Sequence, residues 1–203
     1  MSTPYEAGGR SAQKQRTRAA LVDAARSIVA AGSVPTVEDA AEAASISRTT
    51  AYRYFPNKRS LLLAAHPEMS ATTMLPADPP SDTAARLDAV VRNFLAMILD
   101  TELQQRTMLR MSLEMDATER SSLPLRQGRA IAWIGEALDG LADRLSPAEL
   151  HRLVLSIRAT IGIESLVWLT DVARLSRADA VELMCDSAQA LLRAAVPDDG
   201  GAV

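Results

Sequence analysis

Apolar residues recur every three or four positions along most of this chain, and that spacing restricts the fold to packed amphipathic helices. In the first such segment, Leu21, Val22, Ala25, Ile28 and Val29 share one helical face. Aromatic residues make up only 3% of the 203 residues, which disfavours a fold rich in β-sheet. The sequence therefore predicts an all-α fold of about nine helices.

Prolines divide this pattern into two helical regions. Four of the ten prolines lie between Pro67 and Pro80, where they predict a loop. Helical patterns beyond that loop cover residues 82–99, 101–116, 122–144, 147–171 and 176–195. We expect a disordered arm over residues 1–12, a helical domain over 13–66, a linker or loop over 67–81 and a second helical domain over 82–197.

The first region carries the signals of three short helices followed by a fourth. The first of these helices should stop at Gly32. Thr36 and Ser47 occupy N-cap positions and predict the starts of the next two helices. A tight turn at Ser45 joins those two, so residues 37–55 are predicted to form a helix-turn-helix.

The third helix presents a surface that suits duplex DNA. Ala51 faces its buried side, which leaves mainly polar and basic side chains directed outward. Arginine can bridge guanine O6 and N7, threonine can contact a base, and tyrosine and lysine can bind phosphates. The outward set is Arg48, Thr49, Thr50, Tyr52, Arg53 and Tyr54, with Lys58 just beyond it. The alternative is a short surface helix with ordinary solvated charges.

The charge distribution favours contact with a polyanion at the N-terminal end alone. Residues 1–60 carry nine basic and five acidic side chains, a net charge of +4. The remaining residues carry thirteen basic and twenty acidic side chains, a net charge of −7. A basic end joined to an acidic body agrees with DNA binding through the first domain.

The segment TVEDAAEAASISRTTAYRYFPNKRSLL resembles the DNA-binding signature of the tetracycline-repressor (TetR) family over about residues 13–63. Its most specific part is TAYRYFPNK at residues 50–58. The resemblance implies that Arg48, Thr49 and Thr50 face base edges and that Tyr52, Tyr54 and Lys58 contact phosphates. It implies a base or phosphate contact for Arg53, a further phosphate contact for Thr36, and buried positions for Ala51 and Phe55.

Two features depart from the family pattern. Ser45 stands in the turn where the family usually has glycine, which is tolerable if the backbone is unstrained there. Pro67 interrupts the fourth helix, which is usually long and couples the ligand domain to the DNA-binding heads. The coupling is then expected to reach the heads through the short 58–66 helix and the 67–82 loop.

The second domain is expected to bind an unknown small-molecule effector and a second copy of the chain. By resemblance, the middle helices enclose a pocket and the last two helices pair between subunits. Apolar stripes on those last helices predict a dimer interface that contains Leu150, Val154, Ile157, Ile161, Val181, Met184, Ala188 and Leu191. The alternative is that these stripes fill the core of a monomer.

A methionine face predicts a pocket for an apolar effector, because methionine adapts to varied shapes. The candidate ligand-binding residues are Met97, Met108, Met111, Met115, Trp133, Glu164 and Trp168. Plain core packing is the competing explanation of the methionines. Glu164 either pairs with Arg158 or meets a cationic ligand.

Several other classes of protein are disfavoured. The single cysteine, Cys185, cannot form an intrachain disulfide, and neither His66 nor His151 adjoins an acidic cluster, so we predict no metal, no cofactor and a cytoplasmic location. No catalytic motif and no uncharged stretch of membrane-spanning length is recognisable, so we expect neither an enzyme nor a membrane partner.

The sequence thus predicts a homodimeric, sequence-specific regulator of transcription that binds double-stranded DNA. The favoured form is a repressor that a small apolar effector releases from a palindromic operator. One alternative is a helical small-molecule-binding protein or enzyme without a DNA-binding role. Another is a DNA-binding regulator that does not respond to a ligand.

Overall fold

Helices dominate the computed structural model, which describes residues 4–65, 71–114 and 128–196. The all-α prediction with a helix-turn-helix near the N-terminus is confirmed. The α-helices are α1 (Pro4–Ala30), α2 (Val37–Ala43), α3 (Arg48–Tyr54), α4 (Lys58–Ala65), α5 (Thr83–Asp100), α6 (Glu102–Glu114), α7 (Arg129–Leu138), α8 (Pro147–Thr160), α9 (Ile163–Val167) and α10 (Arg177–Ala195).

The chain divides into two compact units that are interleaved in sequence. The first unit comprises Met1–Ser70 and Leu103–Arg126, and the second comprises Ala71–Glu102 and Gln127–Val203. The predicted second domain, 82–197, therefore differs from the second unit, because most of α6 belongs to the first unit.

Local signals explain the helix boundaries of the first unit. The helix α1 begins at Pro4, well before the expected start at Gln13, so part of the predicted arm is helical. Proline suits the first turn of a helix because its missing N–H is not needed there. After α1, Gly32 adopts a left-handed φ of 84°, and this residue ends the helix as predicted.

Two clusters form the core of the first unit. In the larger one, α1 packs against α2 and α4 while α2 packs against α3, and small side chains such as Ala40 and Ala41 permit the close crossing. The smaller cluster joins Val29 of α1, Leu62 of α4 and the Met108 and Met111 side chains of α6. The non-local contact with α6 is the reason that the unit includes residues far from the helix-turn-helix in sequence.

The second unit is a bundle in which α5 packs against α7 and α10, and α8 packs against α7 and α10. The stretch from Ala71 to Asp82 contains no helix or strand, as expected of a loop, and it packs against this bundle. The side chain of Met74 is buried, and the amide of Asn93 on α5 donates to the Met74 carbonyl at 2.9 Å. The indole N–H of Trp133 on α7 donates to the Thr72 carbonyl at 3.1 Å. These bonds attach the stretch to the second unit.

The predicted helix over 147–171 is divided at Gly162, which has a φ of 121°. A Cβ atom at this position would lie 2.8 Å from Nη1 of Arg158, so only glycine fits without a shift. The stretch Pro147–Val172 is apolar and long enough to cross a membrane by composition alone, with a mean hydropathy of 1.5. Core helices pass the same test, and Leu153, Val154 and Ile157 are buried within the chain.

Candidate nucleic-acid interface

The two helices of the helix-turn-helix are held at fixed positions by their caps. The Thr36 hydroxyl oxygen accepts a hydrogen bond from the Asp39 amide at 3.1 Å, and the Asp39 carboxylate accepts one from the Thr36 amide at 2.8 Å. The two bonds form a capping box around Thr36, the predicted N-cap. Hydrogen bonds to the Asp39 carboxyl, first from the Thr36 amide and then from the Thr36 side chain, lower the pKa of that carboxyl. The Ser47 hydroxyl in turn caps α3 by accepting from the Thr50 amide at 3.3 Å.

The turn between α2 and α3 contains backbone strain. Ser45 has a φ of 55°, in the left-handed region where glycine is favoured. Its amide donates to the Glu42 carbonyl at 3.0 Å, while the Ile46 amide donates to the Ala41 carbonyl at 2.8 Å. This pair of bonds forms a Schellman motif. Serine would be tolerable in this turn if the backbone were unstrained there. The left-handed φ of Ser45 shows that the backbone is strained.

The recognition helix α3 is buried on one side and exposed on the other. Ala51 and the following Phe55 are buried in the core of the first unit, as the resemblance implied. The opposite side presents five exposed members of the predicted DNA-contacting set, namely Arg48, Thr49, Tyr52, Arg53 and, at the start of α4, Lys58. These side chains are accessible to a polyanion.

The other members of the set are less accessible. Thr50 is half-buried, and its hydroxyl oxygen accepts from the Ser47 hydroxyl at 2.9 Å. Tyr54 is also half-buried and packs against the core. Thr36 is exposed, but its amide already donates to Asp39. Its hydroxyl also takes part in the cap with Asp39, so a phosphate would have to share this group.

Tyr52 has an acidic partner that the sequence did not reveal. Its hydroxyl donates to Oε1 of Glu38 on α2 at 2.6 Å, and 42% of the Tyr52 residue surface is exposed. This bond lowers the pKa of the Glu38 carboxyl and raises the pKa of the Tyr52 phenol. Because the two residues are 14 positions apart, no local spacing signals the contact.

The predicted effector-binding residues are divided between the two units. Met108 and Met111 are buried in the first unit against α1 and α4, while Met115 lies outside the described residues. Trp133 is buried in the second unit, with its ring centroid 5.9 Å from that of Phe94. The methionine face was predicted from the spacing within one helix. That spacing does not tell which other helices cover the face.

The remaining candidates for effector binding also lie in the second unit. Met97 on α5 is half-buried. Glu164 and Trp168 line an open groove of about 380 Å³, together with residues of α8 and α10. Arg158 approaches Glu164 at 3.6 Å between Nη2 and Oε1, so the ion pair, rather than a cationic ligand, accounts for this carboxylate.

Most residues of the predicted dimer interface belong to the chain's own core. The buried ones are Val154, Ile157, Ile161, Met184 and Ala188, whereas Leu150, Val181 and Leu191 are half-buried. Large apolar side chains that are exposed occur elsewhere on the same segments. They are Leu155, Trp168, Val172 and Leu183. A surface for a second subunit would therefore use these neighbours of the predicted stripe.

Comparisons with known proteins agree with the helix-turn-helix geometry. Residues 21–65 match the family of bacterial regulatory proteins called the tetR family. The chain is 36% identical over 93 residues to the HTH-type transcriptional repressor LfrR of Mycolicibacterium smegmatis, an alignment that spans 44% of this chain and 48% of that protein. The fold resembles the crystal structure of a TetR transcriptional regulator from Rhodococcus sp. RHA1, with a TM-score of 0.61 and 18% identity, over 89% of this chain and 97% of that one.

Proposed function

We propose that this chain, which matches the TetR family of bacterial regulatory proteins over residues 21–65, is a member of that family and a repressor that a small effector releases from a palindromic operator. The observation that carries the proposal is the exposure of Arg48, Thr49, Tyr52, Arg53 and Lys58 on one side of α3 and the start of α4. The similarity to the transcriptional repressor LfrR supports repression rather than activation. Since the family is one of regulators, the alternative of a helical enzyme is set aside.

The division of roles on the interface follows from chemistry. Arg48 and Thr49 read base edges in the major groove, because they stand at the front of α3. Tyr52 and Lys58 bind phosphates, which supply affinity without sequence information. A DNA-binding regulator of this kind works in the cytoplasm, where bacterial DNA is accessible.

The palindrome follows from a homodimer with two-fold symmetry. Support for a dimer comes from Trp168 and Leu183, which are 59% and 45% exposed and line the same groove in the second unit. Exposed large apolar side chains beside a groove favour contact with another protein surface. We therefore assign this groove to the second subunit rather than to the effector.

The effector is expected to enter the interior of the second unit. Phe94 and Trp133 form a buried aromatic pair there, and the Arg158 guanidinium lies 5.9 Å from the Phe94 ring centroid. Because Arg158 supplies a positive charge and pairs with Glu164, a neutral apolar molecule suits this interior better than a cation. The effector can change DNA affinity only if its own affinity differs between two arrangements of the DNA-binding heads.

The helix α6 offers a route from the effector to the DNA-binding helices. It starts at Glu102, the last residue of one segment of the second unit, and continues into the first unit. There the Gln104 amide donates to the Ala65 carbonyl at the end of α4 at 2.9 Å, and Met108 packs near Leu62. We propose this helix as the coupling element, in place of the predicted 67–82 loop.

Selection from a random duplex library tests the proposal. The protein should enrich a palindrome whose half-site centres lie about 34–36 Å apart, or at a multiple of that distance. A double variant, Arg48→Ala with Lys58→Ala, serves as the control and should enrich nothing. Recovery of no sequence by the folded wild type would refute sequence-specific binding.

The enriched duplex then tests regulation. Placed between a promoter and a reporter gene, it should lower expression when the protein is present, whereas increased expression would identify an activator. A thermal-shift screen of neutral apolar compounds should yield ligands that weaken DNA binding about 5–150-fold, the usual range of allosteric coupling. Ligands that stabilise the protein but leave DNA affinity unchanged would contradict effector-controlled release.

A further inference from the structure

We infer that Glu38 competes with the DNA backbone for Tyr52: it holds the Tyr52 hydroxyl in the free protein and thereby restrains binding to any duplex. The inference rests on the proposed function, because it assigns the Tyr52 hydroxyl to a phosphate.

The competition follows from the number of hydrogens available. A phenol has one O–H, and neither an ionised carboxylate nor a phosphate oxygen can donate to it. In the free protein that one hydrogen lies between Tyr52 and Oε1 of Glu38, at 2.6 Å between the oxygens. A phosphate can accept from Tyr52 only if Glu38 gives up the same bond.

Because of the position of Glu38, the exchange of its bond with Tyr52 for a phosphate contact costs free energy in every complex with DNA. Glu38 lies in the first turn of α2, the helix that the Thr36–Asp39 capping box anchors and that packs against α3. Rotation of its side chain can release Tyr52, but the negative charge stays beside the DNA-contacting surface. Every duplex therefore meets a carboxylate next to one of the groups that should bind its backbone.

Replacement of Glu38 by glutamine removes both effects at once. The new amide can donate to the Tyr52 oxygen, which leaves the Tyr52 hydrogen available to a phosphate. The variant also loses the negative charge that repels the backbone. The structure provides a control on the same helix, because Glu42 is exposed one turn later and Glu42→Gln alters the net charge equally.

The test measures binding to a 30-base-pair duplex of random sequence by fluorescence anisotropy at several salt concentrations, so no operator is needed. We expect Glu38→Gln to bind about tenfold more tightly at low salt, the effect of one regained charge-assisted hydrogen bond. The slope of log affinity against log salt should steepen by less than about 0.9, because the variant removes a carboxylate beside the backbone but adds no cation. Glu42→Gln should change both quantities much less. Equal effects of the two variants, or weaker binding by Glu38→Gln, would overturn the inference.

A second measurement separates competition from simple charge removal. In a Tyr52→Phe background, Glu38→Gln should lose most of its advantage, whereas an undiminished gain would show that Tyr52 is not the contested group. Independently of DNA, an ultraviolet titration of the three tyrosines should show the Tyr52 pKa falling in Glu38→Gln. If the folded wild type binds no duplex at any salt concentration, the proposed function itself fails, and the titration alone then decides whether the Glu38–Tyr52 bond exists.

Discussion

Replacement of Ser45 by glycine should stabilise the protein. Ser45 is exposed and has a φ of 55°, and the Schellman bonds made by its amide and by that of Ile46 involve backbone atoms that glycine retains. A non-glycine residue in the left-handed region costs about 1–2 kcal/mol, because its Cβ approaches the following carbonyl oxygen. Glycine gives back part of this gain, about 0.4–1 kcal/mol, since it adds conformational entropy to the unfolded chain. The net stabilisation should therefore be about 0.8 kcal/mol, the centre of a range of about 0–1.6 kcal/mol.

The measurement is a comparison of thermal and guanidinium unfolding for three variants at position 45. For a chain of this size, the Ser45→Gly gain corresponds to an increase in Tm of about 1–4 °C. Ser45→Ala retains the strain and should give no increase, while Ser45→Asn should fall between the two, because asparagine tolerates this conformation better than alanine. If Ser45→Gly is no more stable than Ser45→Ala, the turn is not strained in solution and the argument is wrong.

Three further predictions concern the proposed interfaces. Lys58→Ala should weaken binding to every duplex and lower the slope of log affinity against log salt by about 0.9. Arg59→Ala, next to it but outside the predicted set, should change this slope less. Equal slopes for the two variants would rule out a phosphate contact by Lys58. Arg48→Ala should relax the preference at particular operator positions, with a loss of about 1–3 kcal/mol for one bidentate contact; a uniform loss would assign it to the backbone. Trp168→Glu should shift the mass in analytical ultracentrifugation toward that of a monomer, whereas Leu113→Glu, which alters a more exposed side chain in the first unit, should not. An unchanged mass for Trp168→Glu would exclude this groove as the dimer surface.

The helix-turn-helix could be predicted because its signals are local. A capping residue such as Thr36 or Ser47 acts on amides two or three positions away, and Gly32 ends the helix that precedes it. Sequence spacing contains such relations directly. The same holds for the burial of Ala51, which follows from the period of one short helix.

The second region was predicted less well because its contacts are non-local. The methionine face of α6 was correctly seen as apolar, but its partners Val29 and Leu62 lie far away in the sequence. The stripe that contains Ile161 and Ala188 was likewise apolar, yet periodicity does not tell whether a helix meets its own chain or another copy. For the same reason the Glu38–Tyr52 bond, which involves one of the proposed phosphate-contacting groups, became visible only in three dimensions.

The burial of Met108 and Met111 against α1 and α4 limits how this protein can be taken apart and recombined. A chimaera that transplanted only residues 1–66 onto another body would carry the recognition helix but would leave Val29 and Leu62 without their covering side chains. The graft would have to bring α6 as well, or supply a substitute of matching shape. Exchange of DNA specificity between relatives should therefore succeed by replacing surface residues of α3, and should fail where whole segments are joined at the boundary that the prolines mark.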